Sequence, residues 1–302
     1  AVFSHVTRAG WRDGGVPLAG RGRGRPAGLA GPSGTVDLRK MPPASARKGS
    51  GQGGGPLSLS LDRLGVAQSI TLTGFRGDFS LAGGIKGDFR AGVNGGAAVA
   101  GNISPAPNGT SVRLVADDAG AVMRDAGIFR SAYGGKLNLV LVPRKTTGAY
   151  DGKAHITGVR VRNANVLAEL LNAISVVGLL EQLDGSGLVF AQVDGDLILT
   201  QDAVQISRGS AIGASLGVSM AGVYKSGSGL LDMQGVISPI YMLNGIGALL
   251  SKRGEGVFGF NYSLKGTADN PQVSVNPLSI LTPGMFREIF RRPPPVVGES
   301  KQ

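Results

Sequence analysis

The strongest signal along the chain is a two-residue rhythm of apolar and polar positions. Leu57, Leu59 and Leu61 alternate with Ser58, Ser60 and Asp62, and Ile70 and Leu72 alternate with Thr71 and Thr73. Phe79 with Leu81, Phe89 with Val93, and Val112 with Leu114 follow. Leu137, Leu139 and Leu141 resume the pattern, then Ile156, and Val159 with Val161. It returns over 188–193, 197–199 and 204–206, at Leu216, Val218 and Met220, and at Leu231 and Met233. Phe258, Phe260, Tyr262 and Leu264, then Val273 and Val275 after a turn at 269–271, close the series. Period two gives a strand one apolar and one polar face. Such runs at short, regular spacing with Gly or Asn between them predict an antiparallel meander.

Three kinds of interruption matter. Asp117 or Asp118 can cap a short helix through Val122, Met123 and Ala126. Asn163 can cap a helix carrying Val166, Leu167, Leu170, Leu171 and Ile174 at i, i+3, i+4 spacing, and the apolar run continues to Leu183 with Gly178 as the bend. Further helices are predicted over 239–250 and 279–291. Helices do not alternate strictly with strands, which argues against a doubly wound α/β fold. The apolar face of so many strands must be covered by another sheet, by helices or by a ligand.

Composition sharpens this picture. Glycine supplies 51 of 302 residues, and most of it reads as turns between short strands. Cysteine is absent and there are two histidines, His5 and His155, so neither a disulfide nor a thiolate metal site is available and no metal or cofactor is expected. Residues 1–20 lack a charged segment followed by an apolar one, and no run approaches 18 apolar residues. The chain, beginning at Ala1, reads as the C-terminal part of a longer protein with any anchor upstream.

Net charge is +11, of which residues 1–55 hold nine Lys or Arg against Asp13 and Asp37. That segment is rich in Gly and Pro and includes Arg21-Gly22-Arg23-Gly24-Arg25 and 49–55. It reads as a flexible insertion with weak strands at 2–6 and 36–38. A nucleic-acid groove needs basic residues on a folded face with aromatics to stack on, and Trp11 stands alone, so no nucleic-acid partner is expected. Residues 56–292 form the β domain, and 293–302 read as a disordered tail.

Candidate chemistry is sparse. Gly213-Ala214-Ser215-Leu216-Gly217 matches the Gly-x-Ser-x-Gly elbow, but both histidines precede Ser215 and a strand pattern follows it, so a hydrolase is a distant rival. Asp194 and Asp196 flank Gly195 and read as a hairpin turn, since no calcium-loop spacing follows. Asn102 and Asn108 fit the glycosylation acceptor pattern, and His155 reads as a surface histidine opposite Ile156. Met285, Phe286, Ile289 and Phe290 share a face of the last helix, with Arg287, Arg291 and Arg292 elsewhere; such a helix caps a sheet end or lies on an anionic membrane.

Several segments resemble a known family. Ser238-Pro239-Ile240-Tyr241 with Asn244, Gly254-Glu255-Gly256-Val257-Phe258 with Tyr262, Gly266-Thr267, and Asn276-Pro277-Leu278-Ser279 with Pro283-Gly284 resemble the AsmA-like C-terminal region of the YhdP-like subgroup of bacterial envelope proteins. Asp117-Asp118-Ala119-Gly120 through Gly127-Ile128 adds to it. The likeness covers roughly 110–292 and is weakest over the first 55 residues.

The resemblance implies a mainly β fold: an elongated, bent antiparallel sheet forming an apolar groove, with a few short helices near the C-terminal end. It implies an inner-membrane anchor upstream, a periplasmic location and a role in moving phospholipid toward the outer membrane. Candidate groove residues are Leu57, Leu59, Leu61, Ile70, Leu72, Phe79, Leu137, Leu139, Leu141, Leu216, Val218, Met220, Phe258, Phe260 and Tyr262, each of which is equally suited to ordinary core packing. Phe286, Phe290, Arg287, Arg291 and Arg292 are candidates for membrane contact. The main alternative is a non-enzymatic scaffold that assists outer-membrane protein assembly through an exposed sheet edge.

Overall fold

The computed structural model describes residues 28–29, 34–38, 56–146, 148–175, 177–239, 259–267 and 270–276. The helices expected over 239–250 and 279–291, the N-terminal basic segment, and the candidates Phe258, Phe286, Arg287, Phe290, Arg291 and Arg292 lie outside these residues.

The alternating pattern folds into one 16-stranded sheet. Its first half comprises β1 (Gly28–Leu29), β2 (Thr35–Asp37), β3 (Pro56–Gly65), β4 (Thr71–Ser80), β5 (Lys86–Val93), β6 (Ala98–Ala106), β7 (Gly109–Ala116), β8 (Ala132–Tyr133) and β9 (Lys136–Pro143). The second comprises β10 (Tyr150–Val161), β11 (Leu188–Leu199), β12 (Ala203–Gly213), β13 (Leu216–Lys225), β14 (Leu230–Pro239), β15 (Phe260–Thr267) and β16 (Pro271–Asn276). From β3 to β16 each strand pairs antiparallel with the next, except that the two-residue β8 lies off this path and pairs with the end of β10 at Arg160 and Val161. The short β1 and β2 join β3 in parallel, so the sheet is mixed only at that edge. The bent, open, mainly β architecture is the one the rhythm and the resemblance point to.

Strict alternation is broken at several places, among them Ala191 on β11 and Ser207 on β12, each an extra residue in the ladder, and the breaks at Gly74 and Gly158 show how the apolar face stays continuous. β4 holds one residue more than β5 between Thr73 and Arg76, where Gly74 adopts φ 55°. The bulge brings Leu72 and Phe75, three apart, to the same buried face, and Leu61 and Leu64 on β3 change phase with them. Gly158 (φ 71°) marks a similar step in β10, after which Val159 and Val161 take over from Ile156.

Three short helices are described: α1 (Ala119–Asp125), α2 (Asn165–Ala173) and α3 (Val177–Asp184). The Asp118 carboxylate caps α1, accepting from the Ala121 backbone N–H at 2.8 Å. Asn163 does not cap α2: the N-cap is Ala164, without a side-chain bond. Asn163 sits at φ 50°, where its main chain serves instead, donating to the Leu183 carbonyl and accepting from Ser131 Oγ. The break between α2 and α3 falls at Ser175 (φ 58°) and not at Gly178, which lies inside α3. A short loop that reverses direction needs a left-handed residue, and a serine fills that position here.

Helix α2 reveals the curvature of the sheet. It is tethered between β10 and β11, yet it packs on β16, five strands beyond β11. Strands are about 4.8 Å apart, so a flat sheet would put β16 roughly 24 Å from β11, beyond the reach of a helix about 10 Å across. The second half must therefore curl, with its apolar side concave. Leu167, Leu170 and Leu171 of α2 and Leu179 and Leu183 of α3 join the same core as Leu216 and Ile237. The helices fill one end of the hollow.

Glycines inside strands let large side chains lie flat on the concave face. A Cβ on Gly77 would meet Phe79 Cζ at 2.5 Å, and one on Gly101 would meet Phe89 Cζ at 2.6 Å. Phe75 stacks on both rings, with centroids 6.3 Å from Phe79 and 5.3 Å from Phe89. Gly235 has the least room: its Cβ position falls on the Ser219 carbonyl oxygen and 2.8 Å from the Tyr262 hydroxyl, which donates to that carbonyl at 2.9 Å. The aromatic ring covers the bare backbone that the glycine leaves. Gly235→Ala should lower stability by about 1–3 kcal/mol through overpacking, and Tyr262→Phe by about 1 kcal/mol through the lost hydrogen bond; urea unfolding midpoints measure both.

Candidate functional site

Cross-strand partners share a face, so the pairing register identifies the site. One row takes a residue from every strand between β3 and β16 except β8. It runs Leu59, Gly77, Phe89, Gly101, Leu114 and Leu139 through the first half. It continues Ala154, Gly195, Gly209, Met220, Gly235, Tyr262 and Val275 through the second. No member is charged, and Tyr262 alone carries a side-chain polar group. Parallel rows beside it are equally apolar: Leu137, Ile156 and Val193 to one side, Leu141, Leu197 and Ile206 to the other.

The described groove candidates all fall on this face or at its margin. Leu57, Leu59, Leu61, Leu72 and Phe79 line its N-terminal part, with Ile70 just before β4. Leu137, Leu139 and Leu141 form its middle, and Leu216, Val218, Met220, Phe260 and Tyr262 its C-terminal part. Sequence reading missed Leu114, Val193, Leu197 and Ile206. Their runs were recognised as strands, but their facing becomes clear only from register.

Burial along the face is uneven. Phe75, Phe79 and Phe89 at one end, and Leu216, Ile237 and Tyr262 at the other, are buried. Between them Leu114, Leu139, Leu141, Val193, Leu197, Ile206, Ala211 and Met220 are only half-buried. Leu141 and Leu197 do not even pack against the main core. The result is a trough whose ends are closed by the protein's own side chains and whose centre is partly open.

Over β3 to β12 the opposite face is mostly polar and carries ionic and hydrogen-bonded pairs, whereas over β13 to β15 it is buried, with Ser219, Val236 and Asn261 on it. His155 Nδ1 lies 2.7 Å from Asp194 Oδ1, and the other Asp194 oxygen accepts from Gln192. Arg208 donates to Asp196 Oδ2 through Nε at 3.0 Å and Nη2 at 2.6 Å. Arg113 donates to Asn138, Ser58 to Asp78, and Arg144 pairs with Asp151 at 3.6 Å. His155 is exposed, as expected, and its ring nitrogen is hydrogen-bonded to Asp194. The sequence Asp194-Gly195-Asp196 is not a turn: it lies in the middle of the unbroken twelve-residue strand β11, which absorbs the two shorter strands expected at 188–193 and 197–199. The two carboxylates point together to the polar face and Gly195 to the apolar one, as period two requires.

Other motifs resolve into structure. Ser215 lies in the tight connection between β12 and β13, a strand-to-strand hairpin, so the strand-to-helix geometry of a nucleophile elbow is not formed. Asn102 lies on the polar face opposite Asp88 and Arg113, and Asn108 occupies the β6–β7 turn. Among the described residues, no three His, Asp or Glu side chains converge as metal ligands, and no helix is long and apolar enough to cross a membrane. A shallow cavity of about 380 Å³ opens on the polar side among Val140, Val142, Lys153, Asp196, Ile198 and Arg208.

Comparisons with family models, characterised proteins and solved structures gave no match. The geometry of the chain itself therefore carries the functional argument.

The exposed pairs should contribute little to stability. The Arg208 side chain is 85% exposed, so Arg208→Ala should shift unfolding by less than about 1 kcal/mol, and less still at high salt. Gly195→Ala should be neutral or stabilise by up to about 1 kcal/mol, because its Cβ meets nothing within 4 Å and its backbone is not left-handed. The contrast with Gly235→Ala in one urea series checks the assignment of filled and empty positions.

Proposed function

We propose that the trough binds the acyl chains of phospholipid and conducts lipid between two membranes, as part of a periplasmic protein anchored in the inner membrane by an upstream segment. The observation that carries this reading is the unbroken apolar face from β3 to β16, closed at both ends and half-open between them. A monomeric protein seldom leaves such a continuous apolar strip in contact with water. A hydrocarbon tail laid along it gains about 0.8 kcal/mol for each methylene removed from water. Movement along a wall without polar anchors needs no covalent step, while a polar head group can stay in solvent at the open side. The resemblance to AsmA-like envelope proteins points the same way.

The experiment is extraction of lipid from the purified full chain, followed by mass spectrometry. Phospholipid should be recovered in amounts comparable to the protein. Leu141→Gln with Leu197→Gln, at half-exposed positions off the core, should lower that amount severalfold while the unfolding midpoint changes by roughly 1 kcal/mol or less. Protein that carries no phospholipid from any membrane source overturns the reading and favours the scaffold alternative, in which a sheet edge and not the apolar face does the binding.

A further inference from the structure

Among the described residues, the wall of the trough is barest over β10 to β12. Along the central row, Ala154, Gly195 and Gly209 are consecutive neighbours on β10, β11 and β12, so three adjacent strands carry nothing larger than a methyl. At other glycines of this face a neighbour folds over the gap: Phe79 over Gly77, Phe89 over Gly101, Met233 over Gly222, Tyr262 over Gly235. Over Gly195 a Cβ would meet no atom within 4 Å, whereas over Gly209 it would meet Ile206 Cγ2 at 3.2 Å and Met220 Cγ at 3.6 Å, so the gap is open at Gly195 and narrowed at Gly209. Ile156 and Val193 stand on one side of this row, Leu197 and Ile206 on the other. The bare row is thus a short furrow running across the strands, along the length of the trough.

The reverse side of the sheet is reinforced at the same spot. The residues next to the furrow on β10, β11 and β12 point to the polar face, where His155 pairs with Asp194 and Arg208 with Asp196. These two pairs join neighbouring strands directly behind the positions whose inner side chains are missing. They keep the bare strands in register without filling the furrow from within.

We infer that this furrow is the seat of a single linear acyl chain, the point in the trough where a lipid tail rests against backbone. The chemistry selects the guest. The furrow's walls are aliphatic and its floor is strand backbone already paired in the ladder, so a peptide, phosphate or nucleotide would leave polar groups unsatisfied there. The inference rests on the proposed lipid function and locates it.

The test uses the full chain and vesicles of phosphatidylethanolamine and phosphatidylglycerol. The protein has no cysteine, so Gly195→Cys introduces a unique thiol, and Asn102→Cys on the polar face serves as control. Lipid loading should slow maleimide modification at position 195 and leave position 102 unchanged. Gly195→Trp, which fills the furrow, should lower bound phospholipid by roughly tenfold, the effect of excluding about two methylenes from the wall. If the unsubstituted chain binds no phospholipid, the lipid reading itself falls. If it binds phospholipid but the thiol at 195 is protected no more than the control, the seat lies elsewhere and only this inference is overturned. Should Gly195→Trp fail to fold, thiol protection decides alone.

Discussion

The structure depends on one constraint: a single curved sheet must satisfy its concave apolar face with very few covering elements. In a sandwich, a second sheet would supply the missing layer. Among the described residues the helices reach only one end, and over much of the remainder the sheet supplies its own cover. Large side chains lie across glycines of adjacent strands, so Phe89, Tyr262 and Met233 bury their own apolar surface and that of the backbone beneath. Curvature does the rest, bringing β16 round to α2. The bulge at Gly74 and the step at Gly158 belong to the same solution, because each returns the apolar side chains to the concave side where plain alternation would have sent them out.

The same constraint makes a trough and not a solid core. Packing is complete where aromatic rings or helices are available, as around Phe75 or between Leu171 and Leu216. In the middle, β10 to β12 offer Ala154, Gly195 and Gly209 where β4 to β6 offer Phe89 between two glycines. Removing those side chains forfeits packing energy. The paired charges behind them do not replace it, since exposed ion pairs are weak, but they do fix strand register. A stretch that gives up burial yet keeps an ordered ladder is what the proposed acyl-chain seat requires.

Much of this fold is legible in the residues. Period-two runs such as 57–61, 137–141 and 216–220 locate strands and their apolar faces, and the capping Asp118 locates α1. Glycine is the main source of misreading. In isolation Asp194-Gly195-Asp196 has the composition of a turn, and only the partners on β10 and β12 reveal it as mid-strand. Asn163 and Gly178 fail for a related reason: loop direction is settled by tertiary packing, which put left-handed geometry at Asn163 and Ser175. The site was legible as a list of apolar positions. Its continuity, its open centre and its furrow were not, because facing and curvature arise between strands distant in the chain.

The meander order has a consequence for how such a molecule behaves as a material. Apart from α2 on β16, nearly every contact joins segments adjacent in sequence, so the sheet resembles a one-dimensional stack in which each hairpin leans on its two neighbours. Cooperativity in such a stack is local, and melting can begin at a free flank and travel inward. A hairpin inserted or deleted in the middle lengthens or shortens the ribbon without redesigning the remainder. Evolution can therefore adjust the length of the ribbon one hairpin at a time.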